Sequence, residues 1–392
     1  MRPEAHLASA ADLLDTILAG VPAEKALTNW ARKNRYAGSG DRAAIRDIVF
    51  DGLRRQRSLS WRGGDQTGRA LVLGRLRADG IDPETVFTGE RFALANLTDE
   101  EREAGQDIET APDPVRVDCP DWLWPGVQSS LGDRAEPVLQ ALQSRAPVFL
   151  RANIAKVSRA KALEVLARDG VEAVPVELAP WAIEVTKNAR RVRTSEAYLD
   201  GMVELQDAAS QAVVSTLLKH VPQGSVLDYC AGGGGKSLAL AAAGLDPIVA
   251  HDANAARMSD IPDRAIRSGV RIEIAATPPK GQFDCVLCDA PCSGSGAWRR
   301  QPEAKWTLTP DRLDELNELQ DKILSQAQGL VAPGGILAYA TCSLLSAENG
   351  DRVQRFLADG NGWDLVESRQ WTPLDGADGF FLAVLRREAP SV

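Results

Sequence analysis

Apolar positions fall into three successive rhythms along the chain. Over residues 5–62 they recur at helical spacing, first at Leu13, Leu14, Ile17 and Leu18, then at Ile45, Ile48, Val49 and Leu53. This stretch is predicted as helices, with Asp41 placed to cap the second run. That run ends in the basic cluster Arg54-Arg55-Gln56-Arg57. Residues 62–70, rich in Gly and Arg, and 99–114, rich in acids and Pro, break the rhythm and are expected to be linkers. From Trp122 to about Asp207 the pattern is mixed. Val148 to Asn153 reads as a strand, Ser158 to Arg168 as a helix and Val171 to Leu178 as a strand, the pattern of a small α+β module.

From about Glu204 short apolar runs alternate with helical segments. Helix 208–220 leads into strand Ser225–Tyr229, and helix Lys236–Ala243 into strand Pro247–Ala250. Helix Ala255–Ser268 precedes strand Arg271–Ala275, and strand Phe283–Leu287 follows directly. A long helix over about Asp311–Leu330, strand Ile336–Tyr339, helix Ala347–Ala358 and a closing strand over 379–385 complete the series. Alternation of this kind predicts an α/β domain with a parallel sheet and right-handed crossovers. The expected division is a helical domain over 1–110, an α+β accessory module over 115–204 and the α/β domain over 205–392. No internal repeat interrupts it.

The ends of these strands carry the chemistry. Asp289-Ala290-Pro291-Cys292-Ser293-Gly294 follows one apolar run, and Ala340-Thr341-Cys342-Ser343 follows another. The carboxyl ends of parallel strands are where an open α/β sheet builds its site. Two cysteines there suit a reaction that needs a thiolate nucleophile and a second thiol. Upstream, Cys230-Ala231-Gly232-Gly233-Gly234-Gly235-Lys236 joins a strand to a helix, and such a loop lets backbone amides approach a ligand. It is not a phosphate-binding Walker loop, because that pattern requires glycine where Cys230 stands. Asp252, sixteen residues beyond Lys236 at the end of the next strand, is placed to accept ribose hydroxyls.

Composition narrows the setting. Apolar residues make up 44% and charged residues 25% of 392, a globular balance. No apolar run approaches the ~20 residues that span a bilayer, and the N-terminus lacks a signal-peptide layout. Six cysteines are too few for a disulfide framework, so the reducing cytoplasm is the expected home. Cys285 and Cys288 have CxxC spacing, but positions three apart in a strand face opposite sides; buried structural thiols are expected, and no metal. The net charge of −9 conceals segregation. Residues 1–62 carry 11 basic against 7 acidic residues, 63–144 carry 7 against 16, and 151–193 carry 9 against 5. Two basic modules flanking an acidic one leave room for a nucleic-acid groove.

Carbon 5 of a pyrimidine becomes nucleophilic only after a thiolate adds at carbon 6, and the reaction also needs an acid near N3. By position Cys342, Cys292 and Asp289 fit these roles, with the base unpaired or flipped. The two cysteine motifs, Glu348-Asn349 and the Cys230–Lys236 loop together resemble the RsmB/NOP/NSUN family of RNA cytosine-C5 methyltransferases. Arg299 to Trp306, Leu205 to Gln211 and Leu150-Arg151-Ala152-Asn153 also resemble family segments. Asp41-Arg42-Ala43 with Leu53-Arg54-Arg55 is similar to a shortened NusB-type RNA-binding domain, which points to the bacterial RsmB-like branch.

The resemblance implies a Rossmann-like class I methyltransferase sheet that uses S-adenosylmethionine to form 5-methylcytosine, in 16S ribosomal RNA. Cys342 would be the nucleophile, Cys292 the release cysteine and Asp289 a further catalytic group. Cys230, Ala231, Gly232, Gly233, Gly234, Gly235, Lys236, Asp252, Arg257 and Asp289 would hold the cofactor. RNA is the expected partner and the protein is expected to act as a monomer with no membrane. A transfer-RNA enzyme and a non-catalytic ribosome assembly factor are the alternatives; a DNA cytosine methyltransferase would lack Cys342. Two departures from the family pattern stand out. Gly232-Gly233 replace Ala-Pro, which is expected to loosen the loop. No acid follows the third strand in Ala275-Ala276-Thr277-Pro278. Arg54, Arg55, Arg57, Arg151, Arg190 and Arg191 are expected to form the RNA-binding surface.

Overall fold

The computed structural model describes residues 1–221, 223–359 and 362–389. It divides into two compact units. One comprises residues 1–145 with 298–308, the other 146–297 with 309–392. This division differs from the three segments read along the chain, since 115–145 falls with the N-terminal helices and the sheet of 148–205 with the α/β domain.

The first unit is helical. Pro3–Leu18, Ala23–Lys33 and Ser39–Arg54 bury Leu13, Leu14, Ile17, Ile45, Val49 and Leu53 in one core. Asp41 accepts from the Gly38 N–H at 2.9 Å at the start of the third helix. The Gly/Arg-rich stretch 62–70 is no linker. It is the tight turn between helices Gln56–Gly63 and Gly68–Ala78. Those helices lie so close that a Cβ on Gly74 would sit 2.0 Å from the Leu59 carbonyl oxygen. Residues 99–114 are likewise pinned, because Arg77 donates to the carbonyls of Arg62, Ala104 and Glu101 at 2.6 Å each. Glycine and charge in these stretches serve close packing and carbonyl capping rather than chain flexibility.

The second unit holds two sheets. The smaller is antiparallel, in the order β2-β3-β1-β4, from β1 (Val148–Ala152), β2 (Glu172–Pro175), β3 (Ala182–Lys187) and β4 (Val203–Leu205). The helix Arg159–Arg168 packs on it, capped by Ser158. The larger sheet runs β10-β11-β9-β8-β5-β6-β7. Its parallel strands are β5 (Val226–Asp228), β6 (Ile248–His251), β7 (Glu273–Ala275), β8 (Phe283–Asp289) and β9 (Val331–Thr341). The strands β10 (Trp363–Trp371) and β11 (Phe380–Arg387) close it in antiparallel fashion. This is a Rossmann-like sheet, as the family resemblance implies.

Its core is two-sided, as a buried parallel sheet requires. Val226, Cys285, Leu287 and Ala338 face one apolar layer, and Leu227, Val286, Cys288 and Leu337 face the other. Cys285 and Cys288 therefore point to opposite faces, and burial pushes both thiols up. The register pairs Asp228 with Leu287 and Asp289 with Ala340. The carboxyl ends of β5, β8 and β9 thus stand side by side, and β5 has a neighbour on each side where the strand order reverses.

Candidate active site

Because Asp289 and Ala340 are register partners, the loops that follow them leave the sheet together. The Ala290 N–H donates to the Ala340 carbonyl at 2.8 Å, and the Gly296 N–H to the Cys342 carbonyl at 2.9 Å. Cys292 and Cys342 are thereby brought to 3.4 Å between sulfurs. Either thiol can donate across that gap. The hydrogen bond to Cys342, and after it burial, hold the Cys292 thiol well above the ordinary thiol value.

The glycine loop forms between β5 and helix Gly235–Ala242. Gly234 adopts φ +76°, a left-handed conformation that favours glycine, and a Cβ there would meet Ile261 at 2.8 Å. The Ala231 N–H donates to the His251 carbonyl at 2.8 Å, and the Gly232 N–H to Asp252 Oδ2 at 3.0 Å. Arg264 reaches the Gly233 carbonyl, and Arg151 the Gly235 carbonyl at 2.7 Å. The Gly232-Gly233 pair is therefore tied by Asp252 and Arg264, and the loop on either side by β6 at Ala231 and by Arg151 at Gly235.

Acids and cations alternate around this loop. Asp252 is buried; Arg257 donates to its Oδ2 at 3.2 Å and the Asn254 N–H to its Oδ1 at 2.9 Å. Lys236, also buried, donates to Asp289 Oδ2 at 2.6 Å and lies 4.9 Å from the centre of the Phe380 ring. Cys230 is lifted by burial first and by Asp228 next. Among the described residues no group of three His, Cys, Asp or Glu side chains is arranged to hold a metal.

Several residues of the site are not legible from the sequence pattern. Asp228 ends β5 and is buried; Ser237 donates to its Oδ2 at 2.6 Å, while Oδ1 is buried with no hydrogen-bond partner. Burial, then the Asp289 charge, push its carboxyl up to about 6 against the pull of Ser237 and Lys236. Its place at a strand end was the available signal. Glu348 and Gln320 are fully buried behind the cysteine loops, and neither the period nor the composition of the chain announces that.

Four of the arginines expected on an RNA surface are occupied elsewhere. Arg54 is buried and donates to the Arg299 carbonyl at 2.7 Å. Arg55 pairs with Asp51 at 3.6 Å, and Arg57 with Asp121 at 2.8 Å and the Cys119 carbonyl at 2.6 Å. Arg151, besides Gly235, donates to Gln206 Oε1 at 2.5 Å. Arg190 and Arg191 remain exposed. The basic cluster at 54–57 looks like surface in the sequence because charge density says nothing of burial.

With this geometry in view, likeness to known proteins decides the family. The model of the 16S rRNA methyltransferase RsmB/F family matches residues 215–386, and that of the RsmF/B-like ferredoxin-like domain residues 119–192. Ribosomal RNA small subunit methyltransferase B of Xylella fastidiosa (strain 9a5c) is 33% identical over 69% of this chain and 68% of its own length. The chain belongs to the RsmB/F family. The corresponding protein of Yersinia enterocolitica is 33% identical over 68% of this chain, and the match spans 66% of that relative, just under two thirds. The solved structure of PH0851 shares the fold at a TM-score of 0.75, with 23% identity over 99% of each chain. In this RsmB/F chain the family-like segments interlock. Gln211, from the helix 208–217, donates to the Leu150 carbonyl at 3.1 Å, and Asn153 to the Gly201 and Ser268 carbonyls at 2.8 Å.

Proposed function

We propose that this chain is an S-adenosylmethionine-dependent RNA methyltransferase that forms 5-methylcytosine in 16S ribosomal RNA, through a covalent adduct at cytosine C6. The observation that carries the reading is the 3.4 Å approach of Cys292 and Cys342 at the ends of adjacent strands, on the sheet edge that also bears the glycine loop.

The residues present fit the cofactor. Asp252 has the lone pairs to take ribose hydroxyls, the loop amides line a helix start, and the partnerless Oδ1 of Asp228 is a buried acceptor beside them. Cys230 to Lys236, Asp252, Arg257 and Asp289 are the residues assigned to hold it. When bound, S-adenosylmethionine supplies an electrophilic methyl group to C5. The chain's own groups do the rest. Cys342, 3.4 Å from Cys292, adds as thiolate to C6, which makes C5 nucleophilic. Asp289, one oxygen of which Lys236 holds, is assigned to give N3 a proton from its other oxygen as the thiolate adds, and to take that proton back when the S–C6 bond breaks. After methylation the C5 proton leaves to a base, the S–C6 bond breaks and Cys342 returns as thiolate, with Cys292 assigned to that release.

The base must leave any helix to reach these sulfurs, so looped or single-stranded RNA is the substrate form. Both thiols and the glycine loop come from one chain, which supports action as a monomer, and the cytoplasm is where ribosomal RNA meets it. No described helix is long and apolar enough to cross a membrane. The test is incubation with labelled S-adenosylmethionine and RNA from cells lacking the modification. Label in 5-methylcytosine of 16S RNA is expected; label confined to transfer RNA, or absent, overturns the assignment.

A further inference from the structure

One carboxylate ties the two cysteine loops together. Glu348 lies in the turn Ser346–Glu348 after β9 and is 0% exposed. Its Oε1 accepts from the Ser293 N–H at 2.7 Å and from Gln320 Nε2 at 3.1 Å. Its Oε2 accepts from the Ser293 and Ser343 hydroxyls at 2.5 Å each. Ser293 adjoins Cys292 and Ser343 adjoins Cys342. The Glu348 carbonyl takes the Tyr339 hydroxyl at 2.6 Å, which anchors this residue to β9.

A buried carboxylate is costly unless its lone pairs are filled, and an ionised one has about four positions to fill. Here four donors fill them, drawn from the Cys292 loop, the Cys342 loop and helix Pro310–Ala327. An apolar side chain of similar volume would pack as well but join nothing. Neighbouring bonds repeat the theme: Ser295 Oγ lies 3.0 Å from Ser343 Oγ, and the Leu344 N–H donates to Ser295 Oγ at 2.8 Å.

We infer that Glu348 is a positioning residue that fixes the register of the Cys292 and Cys342 thiols by clamping their two loops to one point. It touches no reacting atom. The inference rests on the proposed function for its catalytic meaning, but its geometry is testable without RNA or cofactor.

The probe is diamide, a diazene that takes the two thiol hydrogens and is reduced to the hydrazine while the Cys292–Cys342 disulfide forms. The intact protein is expected to form this bond rapidly. Glu348→Ala, with the loops untied, is expected to form it slower by on the order of tenfold to a hundredfold, the scale of a misplacement near 1 Å. Glu348→Gln should recover most of the rate, because its amide oxygen keeps Ser293 N–H and Gln320 while the hydroxyls turn to accept from its nitrogen. A purely structural role would instead lower the melting temperature and S-adenosylmethionine affinity and leave the oxidation rate of folded protein unchanged. An unchanged rate in folded Glu348→Ala overturns the inference. Should that variant not fold, Ser343→Ala removes one arm of the clamp, and an unchanged rate there overturns it equally. In turnover assays the Ala variant should accumulate protein–RNA adduct, release slowing more than addition. Intact protein that oxidises as expected yet never forms an adduct supports the clamp and defeats the catalytic reading instead.

Discussion

The sulfurs of Cys292 and Cys342 lie 3.4 Å apart although fifty residues separate them. The Asp289–Ala340 register produces this approach, and the two loops that leave those strands have no freedom to part while Glu348 joins them. At this distance either thiol can donate a hydrogen bond to the other. That hydrogen bond, and then burial, hold the Cys292 thiol above its ordinary value.

Replacing Cys342 by Ala is expected to abolish methyl transfer while S-adenosylmethionine binds nearly as before, because only the group that adds at C6 activates C5. Turnover assays beside calorimetry check this. Robust activity in the variant removes Cys342 from the nucleophile's role.

Replacing Cys292 by Ser should leave addition and methylation but stall release, trapping protein on labelled RNA. A slow-migrating band on a denaturing gel, absent when Cys342→Ala is combined with it, is the expected result. Normal turnover with no band would show that the release role lies elsewhere.

Replacing Asp252 by Ala is expected to weaken cofactor binding about ten- to a hundredfold, the scale of charge-assisted hydrogen bonds to a diol. The same carboxylate holds the Gly232 amide, so part of the loss comes through the loop. Arg257→Ala leaves that amide bond in place and should cost less. Equal dissociation constants for the intact protein and Asp252→Ala contradict the assignment.

How far the sequence could be read follows from what each signal measures. Apolar runs located β5, β8, β9 and β11, because a strand covered on both faces must be continuously apolar. The same criterion missed β10, whose residues Asp364, Leu365, Val366 and Glu367 lie on the sheet edge, the first three of them exposed. It also missed β4, only three residues long. Strand ends pointed to Cys292, Cys342, Asp289 and Asp252. Burial of a charged side chain has no period, so Glu348 and Arg54 were invisible as a clamp and a core residue. The glycines of 62–70 looked like chain breaks; only the folded chain shows that Gly63 and Gly68 are packing surfaces, a Cβ on each meeting a carbonyl oxygen at 2.0 Å.

Asp228 sets a pH signature. Its folded carboxyl lies at about 6, above the ordinary 3.8, so between those values the folded state binds more protons than the unfolded. Stability from this group is present at low pH and is lost as pH rises through that window. Asp228→Asn cannot titrate, so relative to the intact protein it should gain roughly 2 kcal/mol between about pH 4.5 and about pH 8. Denaturant titrations of both at the two pH values measure the change. A difference independent of pH would mean that the Asp228 carboxyl is not raised.

The last prediction separates arginines that hold the fold from those free to hold RNA. Arg54 is buried with its guanidinium on the Arg299 carbonyl, so Arg54→Glu puts an unpaired acid into the helical unit and should destabilise it by several kcal/mol. Arg190 and Arg191 lie exposed in the turn Ala189–Thr194 of the accessory sheet's module, beside exposed Arg193 and Lys187. A protein of net charge −9 must gather positive charge locally to bind a polyanion, and this is such a gathering. Arg190→Glu with Arg191→Glu should leave the melting temperature and S-adenosylmethionine affinity alone. It should weaken RNA binding and lower the slope of log affinity against log salt by about one for each phosphate that is no longer neutralised. Binding titrations at two salt concentrations, with melting curves on the same samples, read both effects. RNA affinity and slope unchanged in the Arg190/Arg191 variant would place the RNA surface elsewhere, and a folded Arg54→Glu protein of normal stability would return that residue to the candidates.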